Sequence, residues 1–352
     1  MLIVYILLAM TKPRILIEGV GGIGGVVAAR LAQAHYHPVL VTSNAEISEA
    51  IDMRGLRVAD GKENFSQQAD VYTRLDELPP DSRFDVALLL MKANSVIEVA
   101  HATLPYLDPQ GYLVTCQNGI VEDAVAAAVG AGRVVSAIIG WGGTMHAPGV
   151  YEKTGPGAIH LGELDGRLSD RVKLLAGALG RISPVDISEN IRGALWSKLA
   201  INCVITTLGA LTGETLGPML RDRRVRRVFL AIYREVIDTA SALSIRLERI
   251  AVNPKLLYLP ARAGVLRRHF KDLLVQVVGR RYGRLRSSML QSLERGRQTE
   301  IDFLNGYVVE QASRAGIEVP VNAALVRMIK EIEAGQRPLQ MRNIDEIIEV
   351  GN

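Results

Sequence analysis

The chain is poor in cysteine and in aromatic side chains. Only Cys116 and Cys203 occur among 352 residues, with two Trp and five Phe. Both cysteines lie inside apolar runs. That excludes a disulfide framework and a cysteine-based zinc site, and two free, buried thiols in a reducing compartment are expected. The N-terminal MLIVYILLAM offers ten apolar residues, too few to span a bilayer. No basic residues precede it and no small-residue cleavage site follows, so it does not fit a secretory signal. We read residues 1–12 as an apolar extension with Met10 as the natural start, a short membrane or partner contact being the alternative, and expect a cytoplasmic protein. There is no internal repeat and no low-complexity linker.

The formal net charge of +4 conceals an asymmetry. Residues 246–286 hold eleven Lys or Arg against Glu248 and Asp272, a local charge of +9. The remainder of the chain is therefore −5 (+4 minus +9). Any argument from a basic surface concerns that one segment.

Short β-rich runs alternate with helical patterns in the first half. RILIEG (14–19), HPVLVTS (37–43), DVALLLMK (85–92) and GYLVTCQNG (111–119) read as strands. Nearly continuous apolar strands separated by helices imply a parallel sheet covered on both faces. From 134 to 188 the pattern shifts to strands joined by glycine-rich turns, with one helix near 168–180. We read that stretch as the last, partly antiparallel part of the same sheet. From 190 onward the chain is helical. The expected fold is α/β: an N-terminal Rossmann-type doubly wound sheet over 13–188, then an all-helical C-terminal domain over 189–352, with a basic insertion at 246–286.

Gly19-Val20-Gly21-Gly22-Ile23-Gly24 matches G-x-G-x-x-G after a strand and before a helix. The first glycine makes the tight turn, the second lets a pyrophosphate approach the backbone, and the third lets helix and strand pack. The free N–H groups and positive helix end hold the anion. The bland alternative is a glycine turn that only packs. An NAD enzyme carries Asp or Glu about 20 residues on; here the strand tip reads Thr42, Ser43, Asn44. No carboxylate stands there to repel a 2′-phosphate, so the reading leans to NADP(H), with Ser43 at the decisive place. Lys92 and Asn118 follow two further strands, where open α/β sheets bind ligands. A solvated lysine and a plain turn are the alternatives.

LWSKLAINCVITTLG (195–209) reads as a buried helix with one polar stripe. Lys198, Asn202 and Thr206 stand at i, i+4 and i+8. Such a stripe must face polar partners, a ligand or water; the alternative is a lysine snorkelling from a domain edge. An ammonium facing a ketone that accepts hydride stabilises the oxyanion and supplies its proton. Desolvation would lower its pKa towards the working pH.

These residues, with MKAN (91–94), QNG (117–119), WSKLAINCVI (196–205), SSMLQSLERGRQTEIDFLNG (287–306) and GIEVPVN (316–322), make the chain resemble the ketopantoate reductase (2-dehydropantoate 2-reductase) family from about residue 13 to 335. The resemblance implies reduction of a 2-oxo acid by NADPH on the route to pantothenate. It also implies a Rossmann domain followed by a helical domain, with the active site between them. It makes Lys198 the catalytic acid and puts Lys92 and Asn118 in the cofactor and substrate cleft. It assigns Asn202 and Ser288 to the substrate and gives Glu300 a catalytic or nicotinamide-ribose role; alternatively, Glu300 pairs with Arg295 or Arg297 on a helix surface. If 287–306 is one helix, Ser288 and Glu300 lie about 18 Å apart and cannot both touch one small substrate; a break at Gly296 reopens that question. Three positions depart from the family pattern. Thr206 and Leu285 replace expected asparagines, and Ser43 replaces a basic residue.

In the basic insertion, Leu266, Phe270, Leu273, Leu274, Val277 and Val278 form one apolar face of a helix. We expect that face to pack on its own domain, with dimerisation or an anionic surface as alternatives. The segment lacks interleaved aromatics and a nucleic-acid motif, so no nucleic acid is expected. RDRRVRR (221–227) reads as a solvated helix face. The partners expected are a small 2-oxo acid and no membrane, with a homodimer left open; no metal is expected. Other readings are a reductase of a different 2-oxo or 3-oxo acid, or a non-catalytic NADP-sensing or partner-binding protein.

Overall fold

The computed structural model describes residues 12–250 and 253–351. The apolar stretch before Lys12, and the expectation about Met10, fall outside them. The chain divides into two compact units. One holds the residues up to Gln117 and Val121–Ile191; the other holds Asn118–Ile120 and the chain from Arg192 onward.

The first unit runs β1 (Ile15–Glu18), α1 (Gly22–Gln33), β2 (Val39–Val41), α2 (Ala45–Arg54), β3 (Leu56–Asp60), β4 (Glu63–Gln67), β5 (Val71–Tyr72), β6 (Phe84–Leu89) and α3 (Val96–Thr103). It continues with β7 (Leu107–Thr115), α4 (Glu122–Val129), β8 (Val134–Ile139), β9 (Gly142–Ala147), β10 (Val150–Thr154), β11 (Ile159–Glu163), α5 (Asp170–Leu179) and β12 (Val185–Ile187). Eight strands form the main sheet in the order β12-β11-β8-β7-β6-β1-β2-β5. From β8 to β5 every neighbouring pair is parallel. The central β1 is buried at all four positions, as a strand covered on both faces must be. This is the doubly wound α/β sheet expected from the alternating pattern.

The stretch 134–188 divides between two sheets, contrary to the single sheet expected. β8 and β11 pair antiparallel and β12 adds a parallel edge. β9 and β10 instead join a second sheet, ordered β4-β3-β10-β9. Its β3–β4 hairpin was not read from the sequence, although Asp60-Gly61 is a turn signal. Asp60 pairs with Glu63 across the two-residue loop, and Gly61 takes φ +63°. The second sheet packs on α1 because two glycines admit it. A Cβ on Gly22 would stand 2.2 Å from the Gly143 carbonyl oxygen, and one on Gly25 would stand 2.3 Å from the Tyr151 ring. The Tyr151 hydroxyl then donates to the Val20 carbonyl at 3.2 Å.

The second unit is built on α6 (Ile191–Thr212), α7 (Leu216–Arg221), α8 (Arg223–Ala242), α9 (Val265–Arg281), α10 (Ser288–Glu294), α11 (Asn305–Arg314), α12 (Pro320–Glu333) and α13 (Asn343–Val350). By length and composition α6 could cross a membrane, but 78% of its apolar window is buried; its packing is that of a core helix. A buried polar chain ties it to its neighbours. The Thr207 hydroxyl donates to Asn305 Oδ1 at 2.6 Å. Asn305 Nδ2 donates to the Cys203 carbonyl at 3.2 Å and to Asn322 Oδ1 at 2.9 Å. Glu235 accepts from Asn322 Nδ2 at 2.7 Å and from the N–H groups of Val321 and Asn322. Those two N–H groups open α12, so Glu235 caps the helix from outside.

Two expectations about this unit fail, and one question left open is decided. Residues 287–306 are not one helix: α10 ends at Glu294, Gly296 turns the chain at φ +62°, and a 3-10 turn fills Ile301–Phe303 before α11. The 221–227 run is not wholly solvated: Arg226 is buried and forms a two-pronged pair with Asp272 at 2.8 and 2.9 Å. The apolar face of α9 does not pack on its own domain. Lys271, Val275 and Gly279 are the buried positions instead, while Leu266, Phe270, Leu273 and Val277 point outward. The Arg226–Asp272 pair and Gly279, whose Cβ would stand 2.7 Å from that of Leu220, fix which face turns in.

Removing the hub of the polar chain should be costly. Asn322→Ala leaves the Asn305 amide one acceptor short and Glu235 one donor short. We expect urea denaturation to show a loss of about 2 kcal/mol. A loss under about 0.5 kcal/mol, the usual range for surface changes, would mean the chain is dispensable.

Candidate active site

The glycine turn has the form that its spacing requires. Gly19 sits at φ +94°, a region L side chains avoid, and a Cβ there would meet the Met91 nitrogen at 2.5 Å. Its N–H donates to the Val41 carbonyl at 2.9 Å, tying the turn to β2. Gly21 is the N-cap of α1, and nothing lies within 4 Å of where its Cβ would be. The space above it is open. A Cβ on Gly24 would stand 2.0 Å from the Gly19 carbonyl oxygen, so the helix can start this close to β1 only with glycine. The N–H groups of Gly22, Ile23 and Gly24 begin the helix with no acceptor inside it. This turn is shaped to receive an anion, and its residues fit a dinucleotide's pyrophosphate.

The neighbouring strand ends place the other candidates. Ser43 is exposed in the link between β2 and α2, where Asn44 caps α2 by accepting the Ile47 N–H at 3.1 Å. Lys92 is exposed after β6, ahead of a short 3-10 turn at Ala93–Ser95. Gln117 is buried and donates from Nε2 to the Leu89 and Met91 carbonyls at 2.8 and 3.2 Å, clamping the end of β7 to that of β6.

The next three residues belong to the helical unit. Gly119, at φ +92°, lies so close to Phe303 that a Cβ would stand 2.3 Å from the Phe303 carbonyl oxygen. That carbonyl accepts the Ile120 N–H at 3.1 Å. Asn118, one residue earlier, accepts at Oδ1 from Asn202 Nδ2 at 3.4 Å. Two distant sequence candidates are thereby brought together. On α6 the half-buried positions are Lys198, Ile201, Asn202 and Ile205, a single strip at helical spacing; beyond exposed Arg192 the other positions are buried. Lys198 lies one turn before Asn202, about 6 Å along the axis.

The remaining candidates are placed less directly. Thr206 is buried, and its hydroxyl donates to the Asn202 carbonyl in its own helix. Its proton is therefore committed to α6, and lone pairs are what it can offer a ligand. Glu300 is buried at the start of the 3-10 turn, and its carbonyl accepts the Phe303 N–H at 3.1 Å. The same turn thus carries Glu300 and the Phe303 carbonyl that holds the Asn118–Ile120 segment. Ser288 opens α10 and is half-buried. Its neighbour Ser287 caps α10 and packs against Gly209 of α6. With the break at Gly296, helix rise no longer sets the separation of Ser288 from Glu300. Leu285 is 42% exposed.

Among the described residues four buried carboxyls escaped the sequence reading: Glu18, Glu122, Glu163 and Glu235. Glu122 is the buried first residue of α4 and accepts from the hydroxyls of Thr115 and Ser136, both at 2.8 Å. Glu18 is buried at the end of β1, directly before Gly19, and burial pushes its pKa up to about 7 against a weak opposing bond from Thr103. The Thr103 hydroxyl has one proton and lies 2.7 Å from the Val99 carbonyl but 3.3 Å from Glu18. The shorter bond takes that proton, so a neutral Glu18 can donate back to the Thr103 oxygen. The signal was available: a carboxylate inside ILIEG has no charged neighbour in sequence.

Two sequence models describe this chain. One for "Ketopantoate reductase PanE/ApbA" matches residues 15–166, and one for its C-terminal part matches 190–333. The 2-dehydropantoate 2-reductase of Archaeoglobus fulgidus is 25% identical over 327 residues, covering 93% of this chain and 100% of the relative. That of Pyrococcus abyssi is 27% identical over 323 residues, covering 91% and 98%. The crystal structure of a PanE/ApbA family ketopantoate reductase from Ralstonia eutropha superposes with TM-score 0.77 at 25% identity, over 92% of this chain and 99% of that one. D-mandelate dehydrogenase, in a ternary structure with NADH and anilino(oxo)acetate, shares the fold at TM-score 0.77 and 19% identity, over 92% and 99%.

Glu18 gives this unit a pH signature. The folded carboxyl ionises near 7 and the unfolded one near 4.5. A raised folded pKa means the contribution is fully present below 4.5 and lost as pH rises to about 7. We expect Glu18→Gln to be about 3 kcal/mol more stable than the parent above pH 7, with the difference vanishing below 4.5. Denaturant unfolding across that range checks it, and a pH-independent difference would contradict it.

Proposed function

The chain belongs to the ketopantoate reductase family, and on that premise we propose that it reduces a 2-oxo acid with NADPH. The substrate we infer is 2-dehydropantoate and the product pantoate, a step of pantothenate biosynthesis. Family membership makes the chain an oxidoreductase that uses a nicotinamide dinucleotide. The observation that carries the reading is the Asn118–Asn202 hydrogen bond on the strip of α6 that bears Lys198. That strip carries a cation and an amide, and the amide of Asn118 meets it from another segment.

When bound, the reduced dinucleotide supplies the hydride that reaches C2 of the substrate. Gly19, Gly21, Gly22, Ile23 and Gly24 would hold its pyrophosphate. Ser43 would face the adenosine ribose and Lys92 would balance phosphate charge. Asn118 and Glu300 would contact the nicotinamide ribose, and Asn118 would also touch the substrate. The remaining work falls to the helical residues. Lys198 stabilises the negative charge that develops on the 2-oxo oxygen and delivers a proton from its ammonium. Asn202 hydrogen-bonds the substrate and holds Asn118 in place. The Ser288 hydroxyl donates to the substrate carboxylate, and Glu300 keeps Lys198 in its protonated, oriented state. Thr206 lines the far end of the strip.

The test is a panel of 2-oxo and 3-oxo acids assayed by loss of NADPH or NADH absorbance. We expect turnover of 2-dehydropantoate with NADPH, and a fall in kcat of about 10²–10⁴ in Lys198→Ala with NADPH affinity retained. Absence of turnover of every acid by a chain that still binds NADPH would sink the proposal. A carboxylate at the β2 tip should repel the 2′-phosphate. Ser43→Asp is therefore expected to move the NADPH-to-NADH ratio of kcat/KM by about tenfold or more towards NADH. An unchanged ratio would remove Ser43 from the ribose site.

A further inference from the structure

Helix α7 and the end of α9 enclose a cavity of about 820 Å³. Backbone contacts hold its walls. The Leu216 N–H donates to the Leu285 carbonyl and the Gly217 N–H to the Gly283 carbonyl, both at 3.0 Å. Glycine lets the two segments come this close. A Cβ on Gly217 would stand 2.9 Å from the Gly283 Cα, and one on Gly279 would stand 2.7 Å from the Leu220 Cβ. The carbonyls that end α7, at Leu220 and Arg221, accept from the Arg226 guanidinium at 3.0 and 2.8 Å.

Three arginines line this cavity: Arg221 of α7, Arg280 of α9, and Arg284 just beyond α9. Gln276 and Thr215 line it with them. Among the described residues none of these five side chains makes a hydrogen bond or an ion pair within the chain. The lining holds no carboxylate. Of the acids near it in sequence, Asp222 is bound to Arg224 and Asp272 to Arg226. Glu294 is bound to Arg286, and Glu214, one residue before Thr215, lies outside the lining. A cleft lined by charge of one sign focuses its field and concentrates counter-ions.

We propose that this cavity is a binding site for a small organic molecule that carries a diphosphate group. At pH 7 a diphosphate ester bears about three negative charges, which three guanidinium groups match. Each guanidinium can take two phosphate oxygens at once, and the Gln276 amide and Thr215 hydroxyl add neutral donors. A diphosphate presents more acceptor oxygens in that space than a dicarboxylate does. The volume lies within the range of small-molecule sites, about 300–1,000 Å³, and leaves room beyond a diphosphate. Pro218 and Leu220 offer apolar surface to the rest of the molecule. None of the lining residues is among those given to the cofactor or the substrate. The site is therefore an additional one, and the inference does not rest on the proposed reaction.

Calorimetric titration of the full chain tests it, with inorganic pyrophosphate and ADP as probes and the glycine turn first saturated with NADP+. We expect each probe to bind at one further site, pyrophosphate to displace ADP there, and citrate to bind about tenfold more weakly. Arg280→Gln combined with Arg284→Gln should weaken ADP at this site by about tenfold or more, and Arg221→Gln by about threefold or more. Both variants should leave NADP+ affinity and the melting temperature unchanged, because all three arginines are exposed. Arg267→Gln, on α9 but outside the lining, should leave ADP binding as it is. The absence of a second binding event for either probe overturns the proposal. So does binding that survives the arginine substitutions, an equal loss in Arg267→Gln, or citrate held as tightly as pyrophosphate. A chain that binds no NADP+ would overturn the proposed reaction alone, and the arginine dependence of ADP binding would still decide this one.

Discussion

The helical unit depends on a hydrogen-bonded chain that no side chain can leave cheaply. Asn305 and Asn322 are fully buried, and between them they join α6, α8, α11 and α12. A buried amide has donors and acceptors on a small plane, so its partners must stand in particular directions. Asn305 meets α6 at the Cys203 carbonyl and the Thr207 hydroxyl, within five residues of Asn202. The rotation of α6 about its own axis is fixed there, and with it the direction in which Lys198 and Asn202 emerge. Apolar packing alone would leave that rotation softer, since the helix is apolar nearly all round.

The glycine turn solves a different problem by removing atoms. Each of its three fingerprint positions has a separate steric reason: a left-handed backbone at Gly19, open space over Gly21, and a 2.0 Å approach at Gly24. Two glycines, Gly22 and Gly25, also admit the second sheet. The run GVGGIGG thus packs helix α1 on two sides at once. This explains a glycine density greater than the fingerprint needs.

Features set by local pattern were legible in the sequence. The parallel sheet showed in apolar strands at helix-length intervals, and the glycine turn in its spacing between strand and helix. The polar strip of α6 showed in the i, i+4 placement of Lys198 and Asn202. Features set by distant pairing were not. The second sheet joins β3 to β10 across about ninety residues, and nothing near β10 announces that partner. The meeting of Asn118 with Asn202 depends on Gly119 touching Phe303, a contact made far along the chain. The break at Gly296 was visible as a glycine but not decidable, because a lone glycine in a helical run costs only about 1 kcal/mol. The apolar face of α9 was read correctly as a face and assigned to the wrong side. Periodicity reports that a stripe exists; what covers it depends on Asp272 and Gly279 on the other side, whose partners come from α7 and α8.

Under the proposed reaction, the same structural detail bears on which acid is taken. Thr206 stands where the family pattern leads one to expect an amide, and its hydroxyl proton is spent on its own helix. An amide there could both donate and accept; this threonine can only accept. Leu285, at the other departure, offers no polar atom at all. A distal hydroxyl on the substrate could therefore donate to Thr206 but would gain no donor in return. Discrimination between a hydroxylated and an unhydroxylated acid comes from site groups left unpaired by the wrong one. With one amide exchanged for a self-satisfied hydroxyl and another for leucine, few groups remain to be left unpaired. The carboxylate and the 2-oxo group, faced by Ser288, Asn202 and Lys198, then carry most of the recognition. An active site of this kind should accept branched 2-oxo acids more evenly than one with both amides in place.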